Sequence, residues 1–276
     1  MEKTDSLPKL VASDIGGTLS CDSRTIPAFT SSVLNRLVDD DIPVVLITGY
    51  NYNAAVRFME SLDDRVMLMP QNGTLCLKQG QLVREYRIPE AAAGKVCGFL
   101  ETHNLPIIIY KGKNEDFGNF YIYKEKLPLS YAFQKIDGLG DFENITGIST
   151  LLPDDMVEQV RAQIREIVGE TFKVIYTKEA KGSWLEVVHT EVRKDLALKR
   201  LCEEMGIPLK DVVYFGDNFN DREVLGIVGC PVLVENAAPE LKEEFSTVIA
   251  PVSEEGVGRY LNELFDLGLE LVPDYT

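Results

Sequence analysis

The chain has 276 residues, 45% hydrophobic and 26% charged, the balance of an ordinary globular protein long enough for two domains. A net charge of −16 sets it against nucleic acid and anionic membrane surfaces, and no apolar run reaches the roughly 20 residues of a membrane span. The first residues lack the basic-then-apolar order of a signal peptide, and Cys21, Cys76, Cys97, Cys202 and Cys230 show no paired spacing, so reduced thiols in a cytoplasmic protein are expected.

Leu10-Val11-Ala12 reads as a short strand buried on both faces, and it runs into Asp14 and then Gly16-Gly17-Thr18. Pro27 suits the first turn of a helix in which Phe29, Val33, Leu34, Leu37 and Val38 recur at helical spacing through Asp39. Ile42–Gly49 is a second apolar strand ending in Thr48-Gly49. A helix with Val56, Met59 and Leu62 on its inner face is expected next, then a strand over 66–70 and a turn at Gln71-Asn72-Gly73. This alternation is the mark of a parallel sheet with right-handed crossovers.

The rhythm then changes. Segments 74–77 and 81–88 flank Lys78-Gln79-Gly80 as a hairpin. Beyond Pro89 the pattern predicts a helix over 91–102, strands over 105–110 and 120–123, a loop-rich stretch, and a strand over 145–151. A helix over 154–168 and strands over 172–176 and 184–188 complete an α+β insert. From Lys194 the α/β pattern returns: a helix to about Glu204, the strand Val212–Phe215, and short units over 231–234, 239–245, 247–250 and 256–264. The expected organisation is an α/β, Rossmann-like parallel-sheet core formed by residues 1–80 and 190–276, with an α+β cap over 81–189.

Ligands of open α/β sheets sit beyond the carboxyl ends of the strands. At that edge the sequence gathers Asp14, Thr48, Lys194 and the Asp217–Asp221 stretch, Gly216-Asp217-Asn218-Phe219-Asn220-Asp221. Phosphoryl transfer needs such parts: a nucleophile, carboxylates to hold a cation, and donors for the remaining charge. Each residue also has a plainer reading. Asp14 can cap a loop, Thr48 can be a strand-end turn residue, Lys194 can be a solvated helix-start lysine, and Asp217 and Asp221 can cap the helix that follows. Trp184, His103 and His189 have no motif around them and read as core or cap surface.

Taken together, the motifs resemble the haloacid dehalogenase superfamily, in its Cof-type branch with a large cap inserted between the second and third motifs. The matching segments are Asp14-Ile15-Gly16-Gly17-Thr18-Leu19, Thr48 in Ile47-Thr48-Gly49, Lys194 in Lys194-Asp195-Leu196-Ala197-Leu198, and Gly216–Asp221; Glu235-Asn236-Ala237 and Glu255-Gly256-Val257 also fit. The resemblance implies a phosphatase acting on a small phosphorylated metabolite, a sugar phosphate or similar. In that scheme Asp14 is the nucleophile that becomes an aspartyl-phosphate, and Thr48 and Lys194 bind the transferring group. Gly17, Thr18, Gly49 and Asn220 contribute to phosphate binding. Magnesium is held by Asp14, the main-chain carbonyl of Gly16 and Asp217, with Asp221 in support, and the cap closes over the site. Oligomeric state is not legible.

Two positions depart from the family pattern. Its phosphatases carry Asp two residues after the nucleophile, as general acid and base; this chain has Gly16. The branch usually has Arg after Thr-Gly; this chain has Tyr50. A carbonyl ligand at 16 survives the first change, whereas acid–base catalysis, worth about 10² to 10⁴ in rate, does not. An impaired phosphatase is therefore expected. The alternative is a non-catalytic phosphate-ligand-binding or regulatory protein on the same scaffold.

Overall fold

The computed structural model describes residues 7–22, 24–111, 119–122, 133–135, 142–179 and 182–271, with backbone only at 119–122, 133–135 and 177–179. Residue contacts divide the chain into two units, Met1–Tyr50, Ala54–Val83 and Arg193–Thr276 in the first, Asn51–Asn53 and Arg84–Val192 in the second.

The first unit begins with β1 (Leu10–Ser13), buried along its whole length. Burying an aliphatic side chain such as Leu10 or Val11 contributes about 1.5–3 kcal/mol, which is why an uninterrupted apolar run settles as a strand covered on both faces. Helix α1 (Ala28–Asp39) follows Pro27 and buries Phe29, Val33, Leu34, Leu37 and Val38. Strand β2 (Val44–Ile47) is again fully buried. The next helix is not the regular one expected: α2 (Tyr52–Ala55) gives way to a 3₁₀ segment, Val56–Ser61. Three residues per turn shift the phase of the buried stripe, so Ala55 and Phe58 face inward while Val56 is exposed. Strand β3 (Met67–Met69) and a turn at Gln71–Gly73, with φ of 52°, 54° and 91° at its three residues, lead to β4 (Leu75–Lys78) and β5 (Gln81–Glu85). Gln79 and Gly80 both have positive φ, the requirement of a two-residue hairpin turn. Pairing with β4 keeps the first residues of β5 in the first unit, so the division falls inside that strand and not at the Gly80 turn.

The second unit contains α3 (Glu90–Thr102), β6 (Ile107–Lys111), β7 (Asn119–Ile122), β8 (Phe133–Lys135), β9 (Ile145–Leu152), α4 (Val157–Val168, after a 3₁₀ turn at Asp154–Met156), β10 (Phe172–Glu179) and β11 (Gly182–His189). Its sheet runs β10-β11-β9-β6-β7-β8, antiparallel except for β7 with β8. Helices α3 and α4 supply Ala93, Val96, Leu100, Val160 and Ile164 to a core shared with Ile107, Ile148, Val174 and Leu185. The strand expected over 120–123 is found at Asn119–Ile122, and Tyr123 lies outside the described residues, as does most of the expected loop-rich stretch. β8 was not expected.

Helix α5 (Lys194–Met205) returns the chain to the first unit and stops at Gly206, whose φ of 68° is the left-handed cap favoured by glycine. There follow β12 (Val212–Gly216), α6 (Arg222–Leu225), β13 (Cys230–Val234), α7 (Pro239–Glu244), β14 (Val248–Ile249) and α8 (Gly256–Leu264). The eight strands order as β14-β13-β12-β1-β2-β3-β4-β5, parallel from β14 to β3. All five cysteines are free thiols. Among the described residues no helix is long and apolar enough to cross a membrane.

Candidate active site

Because β1 lies between β2 and β12 in parallel register, with Ser13 opposite both Leu46 and Phe215, the loops after all three strands emerge at one edge. Asp14 stands directly beyond β1, and its N–H continues the ladder to the Phe215 carbonyl at 2.9 Å. The chain then turns back sharply: the Ile15 carbonyl accepts from the N–H groups of Thr18, Leu19 and Ser20. Gly17 takes φ 79°, and a Cβ there would lie 2.3 Å from Asp217 Oδ2, so only glycine lets these two loops meet. Thr18 donates to Asp217 Oδ1 at 3.1 Å, and Asn236 Nδ2 donates to the Gly17 carbonyl at 2.7 Å.

Lys194 joins the loops. Its side chain is almost wholly buried and Nζ donates to Asp14 Oδ1 at 2.6 Å and to Asp221 Oδ1 at 2.8 Å. A cation in the first turn of α5 opposes the helix dipole by a few tenths to about 1 kcal/mol; two buried carboxylates at contact distance outweigh that. Asp221 is saturated with donors. Oδ1 also accepts from Tyr214 Oη at 2.6 Å, and Oδ2 accepts from the N–H groups of Asp217 and Asn218 at 3.1 and 3.2 Å. A Cβ at Gly216 would meet Asp221 Cβ and Cγ at 2.7 Å, so this glycine too is a close approach. Tyr214 was not foreseen: a tyrosine inside an apolar strand reads as core, and nothing in the spacing marks its hydroxyl.

A cavity of about 230 Å³ opens at this edge, lined by Asp14, Gly16, Thr48, Gly49, Tyr50, Asp217, Asn218 and Asn220. Thr48 is buried, and its Oγ1 accepts from the Tyr50 N–H at 3.2 Å. Asn220 reaches Asn72 Oδ1 at 3.4 Å across the mouth of the Gln71–Gly73 turn. Thr18, by contrast, is buried and its hydroxyl is spent on Asp217.

One carboxylate oxygen from each of Asp14, Asp217 and Asp221 falls within 4.8 Å of the others. Burial pushes the Asp14 carboxyl up to about 7, with Asp221 and Asp217 adding to the rise and Lys194 opposing it. Burial likewise lifts Asp217 to about 6, with Asp221 beside it. Burial alone would pull the Lys194 ammonium down, but Asp14 and Asp221 overcome it and the net shift is upward. The set is all hard oxygen, crowded, and more negative than one lysine offsets, which suits a small divalent cation.

The family model for haloacid dehalogenase-like hydrolase matches residues 11–261. The chain belongs to the haloacid dehalogenase-like hydrolase family. Relatives of the chain include the 5-amino-6-(5-phospho-D-ribitylamino)uracil phosphatase YitU of Bacillus subtilis, 24% identical over 95% of this chain and 100% of its own length. The HMP-PP phosphatase of Escherichia coli O8 is 26% identical over 94% of this chain and 97% of its own length. Among solved structures, a haloacid dehalogenase-like hydrolase from Bacteroides thetaiotaomicron has a TM-score of 0.79 at 18% identity, covering 94% of this chain and 100% of that one. The subclass IIB sugar phosphatase BT4131 has a TM-score of 0.67 at 18% identity, covering 93% and 99%. These structures share the haloacid dehalogenase-like fold.

Proposed function

We propose that this chain is a magnesium-dependent phosphatase that acts on a small phosphorylated metabolite through an aspartyl-phosphate on Asp14. The observation that carries the reading is the buried Asp14–Lys194–Asp221 cluster, with Asp217 beside it, at the carboxyl edge of a parallel sheet and open to a cavity. The names of the curated relatives support a phosphatase.

Asp14, the Gly16 carbonyl and Asp217 would hold the magnesium ion, with Asp221 behind them fixing Lys194 and the Asp217 backbone. When bound, the cation supplies charge neutralisation at the phosphoryl oxygens. An Asp14 carboxylate oxygen attacks phosphorus, the bond to the leaving oxygen breaks, and that oxygen carries off the electron pair and takes a proton. Water then attacks phosphorus, the Asp14 oxygen–phosphorus bond breaks, and inorganic phosphate leaves. Thr48, Lys194, Gly49 and Asn220 bind the non-bridging oxygens, with Gly17 and Thr18 shaping the loop beside them. Gly16 carries no acid–base group, so turnover falls short of a site with a carboxyl there by up to about 10² to 10⁴. The stretch Arg84–Val192 of the second unit would serve as the cap that selects the substrate.

Gly16 also favours a second reading, a phosphate-ligand-binding protein without turnover. Magnesium-dependent phosphate release from sugar phosphates and other phosphorylated metabolites decides between them. The phosphatase reading expects release that Asp14→Asn abolishes and that Gly16→Asp combined with Tyr50→Arg increases. No release by the parent chain and none gained by the double variant would leave only the binding protein.

A further inference from the structure

The two positions at which the chain departs from its family pattern touch each other. Gly16 is not a glycine because of its backbone: Gly17 has positive φ, and Gly16 does not. What a side chain at 16 would meet is Tyr50. A Cβ built there lies 2.9 Å from Tyr50 Oη, 3.1 Å from Cε2 and 3.2 Å from Cζ, and these are its three nearest neighbours. The hydroxyl oxygen thus stands nearly as close to that Cβ position as the carboxyl oxygens of an aspartate would. A side chain at 16 and the phenol at 50 compete for the same space, and one must give way to the other.

The ring is held where it is. It stacks on Phe58 with centroids 5.6 Å apart and planes 28° apart, and Phe58 is itself buried. The Tyr50 N–H donates to Thr48 Oγ1, and its carbonyl accepts from the Gln71 N–H at 2.8 Å. Tyr50 lines the same cavity as Asp14, Thr48 and Asp217. A phenol that lines the same cavity as Asp14 carries a hydroxyl able to donate a proton there.

We propose that Tyr50 is the catalytic proton donor of this chain, its phenol taking the place beside Asp14 that glycine at 16 leaves open. The proposal rests on the phosphatase reading above. In the first step the Asp14 oxygen bonds to phosphorus while the bond from phosphorus to the leaving oxygen breaks, and the Tyr50 O–H proton passes to that oxygen, leaving a phenolate. In the second step water attacks phosphorus, its proton goes to the phenolate, and phosphate departs from Asp14. Phenol and carboxylate are both restored. A phenolate that regains a proton from solvent before water attacks is no longer a base, so loss of the aspartyl-phosphate is the slow step.

The role has a signature that packing alone does not produce. A leaving oxygen that is already stable as an anion needs no proton, whereas an alkoxide does. Tyr50→Phe keeps the ring, its stack on Phe58 and its contact with Gly16, and removes only the hydroxyl. First-turnover rates by rapid quench, with magnesium, are compared for p-nitrophenyl phosphate and benzyl phosphate, the two proteins first being matched by thermal unfolding. Tyr50→Phe is expected to lose about tenfold to hundredfold on benzyl phosphate and less than about threefold on p-nitrophenyl phosphate. Equal loss on both substrates overturns the role of Tyr50. So does a parent chain that cleaves benzyl phosphate no faster than the variant while still forming an Asp14-dependent phosphoenzyme with p-nitrophenyl phosphate; in both cases the phosphatase reading stands. Absence of that phosphoenzyme in the parent chain overturns the phosphatase reading, and the proposal falls with it.

Discussion

Gly16→Ala tests the contact at the centre of the site without adding charge. The new Cβ meets the far end of the Tyr50 ring at 2.9 to 3.2 Å, and the ring cannot retreat freely because it lies on Phe58. Overpacking of this kind costs about 1–3 kcal/mol. Alanine at a position outside the left-handed region should otherwise stabilise by about 0.4–1 kcal/mol, through the entropy of the unfolded chain. The single variant is therefore expected to range from neutral to about 2.5 kcal/mol less stable. In a Tyr50→Ala background the obstruction is gone, and Gly16→Ala should gain about 0.4–1 kcal/mol. The difference between backgrounds, about 1–3 kcal/mol, is the interaction energy of a double-mutant cycle. Urea unfolding of the four proteins, without added metal, measures it. If the two substitutions are additive within about 0.5 kcal/mol, Tyr50 does not stand over Gly16 in the folded protein.

Removing the cation from the cluster should be costly: in Lys194→Met, two carboxylates lose a partner at 2.6 and 2.8 Å in a buried setting, for a loss of about 3–5 kcal/mol in metal-free protein. Folded protein then retains a proton that the unfolded chain gives up, so the loss deepens with rising pH by up to about 1.4 kcal/mol per unit; urea midpoints near pH 6 and pH 8 that match the parent would contradict this. Magnesium binding should be linked to the same carboxyls. With Asp14 raised from 3.8 to about 7 and Asp217 to about 6, each favours the metal-free fold at pH below the unfolded value and loses that contribution as pH rises through 6 to 7. A cation displaces those protons, so the rise in thermal midpoint caused by magnesium should grow between about pH 5 and pH 8, and a shift that stays flat over that window would count against Asp14 and Asp217 as ligands.

Much of the first unit was legible because its elements are regular. A buried parallel strand needs only an unbroken apolar run, and α1 and α5 announce themselves by spacing. Strand ends next to glycines then place Asp14, Thr48 and Asp217 at one edge, where Lys194 joins them. Irregular geometry was not legible. Phe58 replaces Val56 on the inner face because a 3₁₀ segment changes the period, and no count at 3.6 residues per turn detects that. The contact of Tyr50 with Gly16 crosses 34 residues and depends on how two loops leave adjacent strands; the sequence marks each residue as unusual but not that they meet. The hydroxyl of Tyr214 is hidden for a similar reason, since its partner Asp221 lies beyond a tight loop. No local signal in the sequence specifies the parallel pairing of β7 with β8.

The proposed reaction turns on a covalent phosphoenzyme at Asp14. Rapid mixing of the chain with p-nitrophenyl phosphate and magnesium, followed by acid quench, reads it directly. A burst of p-nitrophenol approaching one equivalent per chain is expected, matched by phosphate bound to protein, then slower steady release, with burst and bound phosphate both absent in Asp14→Asn. A steady release with no burst and no bound phosphate in the parent chain, or a burst that survives in Asp14→Asn, would contradict it.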